Sequence, residues 1–227
     1  MNKKICHSPF SNEKICAKIK KNHILIKGEL LMAKIIIIYG DLAAGKTGYA
    51  NILASKFRCP AITKDSIKEI LGDKIGFANR AENRNLSETT FEIMLHTFEC
   101  FTKVKADIIL EANFRDRELR EIKALAEKNG YDIVAIQMSA PTEILYDRFT
   151  KRMRDRHPVH LTIDFDDYEG FVKYVEGQRS NVDFEHLIKI DTSDFGFLTD
   201  ESIILEIDKA ILPTSMHAAL EKVFSDK

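Results

Sequence analysis

The stretch that most constrains this chain is KIIIIYGDLAAGKTGYANILASKF, residues 34–57. Its β-branched run Ile35 to Tyr39 predicts a strand buried on both faces, as in a parallel sheet covered on its two sides. From Thr47 to Phe57 the apolar residues fall at helical spacing. Between strand and helix, Gly40, Gly45, Lys46 and Thr47 complete the pattern GxxxxGK[ST]. Physically, the glycines let the backbone curl so that successive N–H groups and the start of the helix point at a polyphosphate. Lys46 neutralises the β and γ phosphates, and Thr47 offers a hydroxyl to Mg²⁺. A pattern this short arises by accident in roughly one chain in a hundred, but a chance match would usually lack the flanking strand and helix. The residues expected on the nucleotide are Gly40, Asp41, Leu42, Ala43, Ala44, Gly45, Lys46, Thr47 and Gly48.

The alternation continues along the chain. Pro60 ends the connection before a short strand, Ala61 to Thr63; Ser87 is read as the N-cap of a helix running to Val104; and DIILEANF is read as a third strand. A helix from about Asp116 to Asn129 is closed by Gly130, followed by the strand YDIVAIQM, a helix with Pro141 in its first turn, the strand FEHLIKI and a last helix, ESIILEIDKAIL. Strands alternating with helices predict an α/β three-layer sandwich, a mainly parallel five-stranded sheet whose ligand site lies beyond the carboxyl ends of the strands. A Mg²⁺–nucleotide site also needs an acid at the end of a neighbouring strand, and Glu111 in IILEANF supplies it as a metal-side carboxylate. The competing role for Glu111 is a helix cap or a salt bridge.

Composition narrows the partners. Of the net charge of −1, residues 1–34, with eight Lys and two Glu, carry +6, so the body is acidic and offers no field for long nucleic acids. The four cysteines, Cys6, Cys16, Cys59 and Cys100, have no metal-ligand spacing, which fits a reducing cytoplasm. No stretch approaches the length of a membrane helix. Residues 1–33 lack sustained periodicity and are expected to be either a disordered basic tail or untranslated sequence, with translation starting at Met32. Residues 213–227 are expected to form a tail or short helix after a domain spanning 34–212.

The order of GDLAAGKT, ITKDSIKEIL, IILEANF, MSAPTEILYDRFTKRMRDRH and LIKIDTS resembles the small P-loop kinases of the group that includes polynucleotide kinase, chloramphenicol phosphotransferase and zeta-toxin-type kinases, often described as AAA-type ATPases. The resemblance implies that the chain binds ATP with Mg²⁺ and moves the γ-phosphate to a hydroxyl. It implies that Asp65 in ITKDSIK takes the proton from that hydroxyl, although an Asp before SIKEIL also suits a helix cap. It implies an Arg-rich lid, with Arg148, Arg152 and Arg156 closing over the phosphates, where a solvated charged face is the alternative. Thr192 and Ser193 fall where such kinases contact adenine. The span GDKIGFANRAENRN, with Arg80 and Arg84, is expected to cover the acceptor as a polar loop, and Lys68 is a weaker candidate for gripping it.

Ala43 is the loop's one oddity, standing where many kinase loops carry a third glycine. The acceptor is expected to be a small molecule or nucleotide-like, with a 5'-hydroxyl nucleic-acid end inside the class. Two alternatives share the P-loop: a nucleotide-dependent regulatory ATPase with no acceptor, and a toxin-type kinase of nucleotide sugars. The histidines, His160 among them, form no catalytic pair with a cysteine or serine.

Overall fold

The computed structural model describes residues 32–161, 165 and 167–211, so residues 1–31 of the expected N-terminal tail and the segment 213–227 lie outside the described residues. In chain order the elements are β1 (Lys34–Gly40), α1 (Lys46–Phe57), β2 (Ala61–Thr63), α2 (Lys64–Ile75), α3 (Arg80–Val104), β3 (Ile108–Glu111), α4 (Asp116–Lys128), β4 (Asp132–Ser139), α5 (Thr142–Arg152), α6 (Tyr168–Gln178), β5 (His186–Asp191) and α7 (Glu201–Ile211). Short 3₁₀ turns follow α5 at Met153–Asp155 and Pro158–His160.

All five strands are parallel, in the order β2-β3-β1-β4-β5. β1 is central, and its side chains alternate between faces because a strand repeats every second residue. Ile36 and Ile38 pack on one side with Tyr49 and Leu53 of α1, Leu145 of α5, Phe171 of α6 and Ile207 of α7. Ile35, Ile37 and Tyr39 pack on the other with Phe91, Met94 and Phe98 of α3 and Leu119 and Ile122 of α4. Two apolar cores on a sheet buried on both faces make the expected three-layer sandwich, with the sheet wholly rather than mainly parallel.

The register decides where the chemistry can lie. Glu111 pairs with Ile38 on one side and Thr63 on the other. The carboxyl end of β3 therefore sits between the loop that leaves β1 and the start of α2.

Two boundaries differ from expectation. The long helix begins at Arg80, not after Ser87: the Asn79 side chain accepts from the Glu82 backbone N–H at 3.0 Å, and the Glu82 carboxylate accepts from Ala78 N–H at 2.6 Å. With Asn79 as its cap the helix starts eight residues earlier than a Ser87 cap allows. Arg80 and Arg84 consequently share one helical face, one turn apart, instead of lying in a loop. The second difference is α6, which the sequence reading passes over.

Gly40 holds the turn out of β1. Its φ is 129°, and a Cβ there would come within 2.0 Å of the Met138 carbonyl oxygen on β4. That oxygen also accepts the Asp41 N–H at 2.9 Å, so it has no freedom to move aside. Gly40→Ala is expected to lower stability by about 3 kcal/mol or more, read as a fall in the urea midpoint; an unchanged midpoint would contradict this backbone geometry.

Candidate functional site

The loop between β1 and α1 is a run of unusual backbone conformations. φ is positive at Gly40 (129°), at Ala43 (64°) and at Gly45 (83°). Ala43, the residue that departs from the kinase pattern, thus adopts a left-handed conformation that glycine enters without steric cost. Its side chain is buried against the core that includes Ala44, Tyr49 and Phe197. The Lys46 side chain is buried and its ammonium donates to the Asp41 carbonyl at 2.6 Å, folding the lysine over its own loop.

Thr47 Oγ1 donates to Glu111 Oε2 at 2.9 Å. Burial pulls the Lys46 ammonium down from its ordinary pKa, while the Glu111, Asp65 and Asp41 charges support its protonated form. Burial likewise pushes Glu111 up, opposed by Lys46 and by the Thr47 hydrogen bond. A hydroxyl and a carboxylate already side by side at the carboxyl edge are hard oxygen donors, which suits Mg²⁺. Lys46, with three acids around it, has the charge to take a polyphosphate.

Asp65 lies in the first turn of α2, with Thr63 in the cap position, so it is not the cap of that helix. Its carboxylate is half exposed, 3.9 Å from an Arg156 nitrogen and 3.9 Å from His160 Nδ1. His160 is buried, and its Nε2 is 2.9 Å from Glu69 Oε1. The stretch after α5 is thereby tied to α2 and α3: Asn83 donates to the Val159 carbonyl at 2.7 Å, and His157 Nε2 is 3.0 Å from Asp73 Oδ1.

Arg148, Arg152 and Arg156, the arginines expected to form a lid, have different surroundings. Arg156 meets Asp65, and the charge of Arg152 is felt at both Lys46 and Glu111. Arg148 turns elsewhere: it donates to the Ser193 carbonyl at 3.2 Å and stacks over the exposed Phe195 ring at 4.6 Å. It therefore joins Thr192 and Ser193 beyond β5. Of the three, Arg148 is the one whose partners come from the segment after β5.

Two residues are missed by sequence reasoning. Arg179, one residue past α6, donates from Nε and Nη2 to the two carboxylate oxygens of the buried Asp41, at 3.2 and 2.9 Å. Those bonds raise its already high pKa. Nothing local in RSN after VEGQ signals a partner 138 positions upstream. His160 is the other, and an imidazole near carboxylates was legible only once α2 was placed beneath it.

Burial holds His160 below the ordinary imidazole pKa, outweighing the Asp65 and Glu69 charges that raise it and assisted by Arg156. The fold thus prefers the neutral ring, a preference fully present above the unfolded value of about 6.5 and lost as pH falls through the lower folded value. His160→Gln removes the titration. The stability gap between the wild type and this variant is expected to narrow from pH 7.5 to 5.5 in urea titrations, and a widening gap would mean that the folded ring takes up the proton.

A cavity of about 810 Å³ opens beside these groups, lined by Gly40, Asp41 and Leu42 of the loop, by Asp65, Arg156 and His160, and by the Arg80–Arg84 face of α3. No helix among the described residues is long and apolar enough to cross a membrane.

No protein-family model matches the sequence, and no curated protein matches it. Solved structures do. A candidate kinase from Chloroflexus aurantiacus j-10-fl superposes with a TM-score of 0.69 at 23% identity, over 80% of this chain and 100% of its own. A gluconokinase from Sinorhizobium meliloti 1021 gives 0.51 at 13% identity, over 87% and 100%. Kti12 of Chaetomium thermophilum, in complex with ADP-AlF3, gives 0.56 at 12% identity, over 79% and 100%. These proteins differ in kind, and they do not single out the zeta-toxin and chloramphenicol phosphotransferase group. What they share with this chain is the architecture: it has the fold of P-loop kinases.

Proposed function

We propose that this protein is an ATP-dependent kinase that transfers the γ-phosphate of Mg-ATP to a hydroxyl of a small or nucleotide-like acceptor. The observation that carries the reading is the line of groups along one sheet edge. Lys46 in its loop, Glu111 bonded to Thr47, and Asp65 beside Arg156 influence one another electrostatically, and Asp65, Arg156 and the turn Gly40, Asp41 and Leu42 border one cavity.

The roles follow from position. The loop N–H groups and Lys46 hold the β and γ phosphates, and Lys46 leaves the Asp41 carbonyl to do so. Thr47 and Glu111 would hold Mg²⁺, which when bound offsets charge on the phosphates. Asp65 orients the acceptor hydroxyl in line with the γ-phosphorus and accepts its proton. Arg156, 3.9 Å from the Asp65 carboxylate, steadies it and, with Arg152, stabilises charge on the moving phosphoryl group. Asp41 and Arg179 fix the first turn of the loop. The adenine is placed at Arg148, Thr192, Ser193 and Phe195, where an exposed ring already stacks on a guanidinium.

Kti12, of the same fold, is recorded with ADP-AlF3, and this supports a nucleotide in the corresponding loop here. The test is ADP release from Mg-ATP across alcohols, sugars, nucleosides and 5'-hydroxyl oligonucleotides. Stimulation by one acceptor class supports the reading; tight ATP binding with no stimulation by any of them argues for a regulatory ATPase instead.

A further inference from the structure

The charges on the cavity wall say something about the acceptor itself. Three carboxylates near the cavity are already matched: Glu118 pairs with Lys64, Glu88 with Arg84 at 3.1 Å, and Asp41 with Arg179. Asp65 is the remaining lining acid, and Arg156 and His160 attend it. Against this, Lys68, Arg80, Arg115 and Arg117 also line the cavity. The Arg80 and Arg115 side chains have no hydrogen-bond or ion-pair partner among the described residues. The Lys68 ammonium has only the Val159 carbonyl, at 3.4 Å, and Arg117 reaches Glu121 at 3.5 Å. Cations from α2, α3 and the start of α4 thus converge on one concave space without enough carboxylates to satisfy them.

A second feature is the opposite wall. Phe149 and Val175 are buried apolar residues that border the same cavity and pack in one cluster with Leu42, Ala43 and Ala44 of the phosphate loop, with the Tyr174 ring among them. The space is therefore apolar near Asp65 and the loop, and cationic towards α3 and α4.

We infer that the acceptor is an anionic hydroxy compound: its carbon skeleton lies against Tyr174 and Val175, its hydroxyl meets Asp65, and its phosphate or carboxylate is bound by Arg80 and Arg115, with Lys68 alongside. Guanidinium groups suit both anions because their N–H pairs match two oxygens at once. A neutral sugar or alcohol would leave these cations to water, with no bond to the acceptor. The inference deepens the kinase reading and rests on it for transfer, but anion binding by the cavity can be measured without any transfer.

The experiment has two arms. In the first, protein saturated with Mg²⁺ and AMP-PNP is titrated with inorganic phosphate by calorimetry, for the wild type, R80A/R115A and R80K/R115K. Saturable single-site binding is expected, weakened at least about tenfold in the alanine variant and largely restored in the lysine variant. Absent binding, or binding indifferent to both substitutions, would overturn the anion site.

In the second arm, acceptor-stimulated ADP release is compared for matched pairs: nucleosides against their 5'-monophosphates, glucose against glucose 6-phosphate and against gluconate. The phosphorylated or carboxylated member should give at least about tenfold higher kcat/KM, and R80A/R115A should raise its KM while kcat holds. The two anionic types separate phosphate from carboxylate. Equal use of the neutral members would overturn the inference while leaving a kinase, whereas phosphate binding with no turnover in any pair would uphold the anion site and sink the transfer reading.

Discussion

Lys46→Met is expected to lower acceptor-dependent ADP release by about a thousandfold while leaving the fold intact. Met is close to lysine in length and apolar, so it fills the space of a side chain that is buried and whose charge the fold already opposes. The buried Glu111 loses the counter-charge that Lys46 supplies but can take a proton instead, so stability should hold to within a small loss. The hydrogen bond to the Asp41 carbonyl is lost, but that carbonyl lies in a loop also anchored by the Asp41 N–H to Met138 and by the Arg179 pair. What no other group replaces is a positive charge between the loop and Glu111. Steady-state kinetics beside a urea titration separates the two effects: a large loss of activity with a nearly unchanged midpoint is the expected pair. Activity within tenfold of the wild type would remove Lys46 from the phosphate site.

Asp65→Asn is expected to lower kcat for transfer by about 10²–10⁴-fold with ATP affinity nearly unchanged. The amide keeps the shape and can still touch Arg156 and His160, both about 3.9 Å away, but it cannot take the hydroxyl proton. Because Asp65 lies in α2 and Lys46 in α1, separate elements on the same sheet edge, the loss should appear in kcat and not in ATP binding. A comparable rise in KM for ATP would mean that Asp65 acts on the nucleotide. An unchanged rate would leave the regulatory-ATPase reading in place.

How far these residues could be read from the sequence depended on distance along the chain. The phosphate loop was legible because its whole pattern lies within eight residues and its context, a buried strand and then a helix, adjoins it. The strands were legible because a buried parallel sheet writes itself as β-branched runs. Glu111 and Asp65 could be named as strand-end carboxylates, but only the β2-β3-β1 order brings them to one edge with Lys46.

The misses have physical reasons too. The cap formed by Asn79 and Glu82 was present in the letters, yet ANRAENRN is so polar that it reads as a loop until Asn83 and Leu86 are seen to be buried. α6 carries Gly170 and Gly177 within eleven residues, which lowers its helix propensity; its Asp167 cap, accepting from Gly170 N–H at 2.8 Å, and the buried Phe171 and Val175 hold it. Arg148 shares helical phase with Arg152, four residues on, and that spacing gives no sign of its contact with Phe195 in a distant loop. The same limit hid Arg179, whose contact with Asp41 spans most of the domain.

The central claim is that the γ-phosphate leaves ATP for an acceptor hydroxyl activated by Asp65. Its most direct measurement follows label from γ-labelled Mg-ATP into product, with wild type and Asp65→Asn run side by side on the acceptor that best stimulates ADP release. The account predicts label in a phosphorylated acceptor for the wild type, and at least about a hundredfold less for the variant at saturating ATP. Label found only in inorganic phosphate, at equal rates in both proteins, would contradict it.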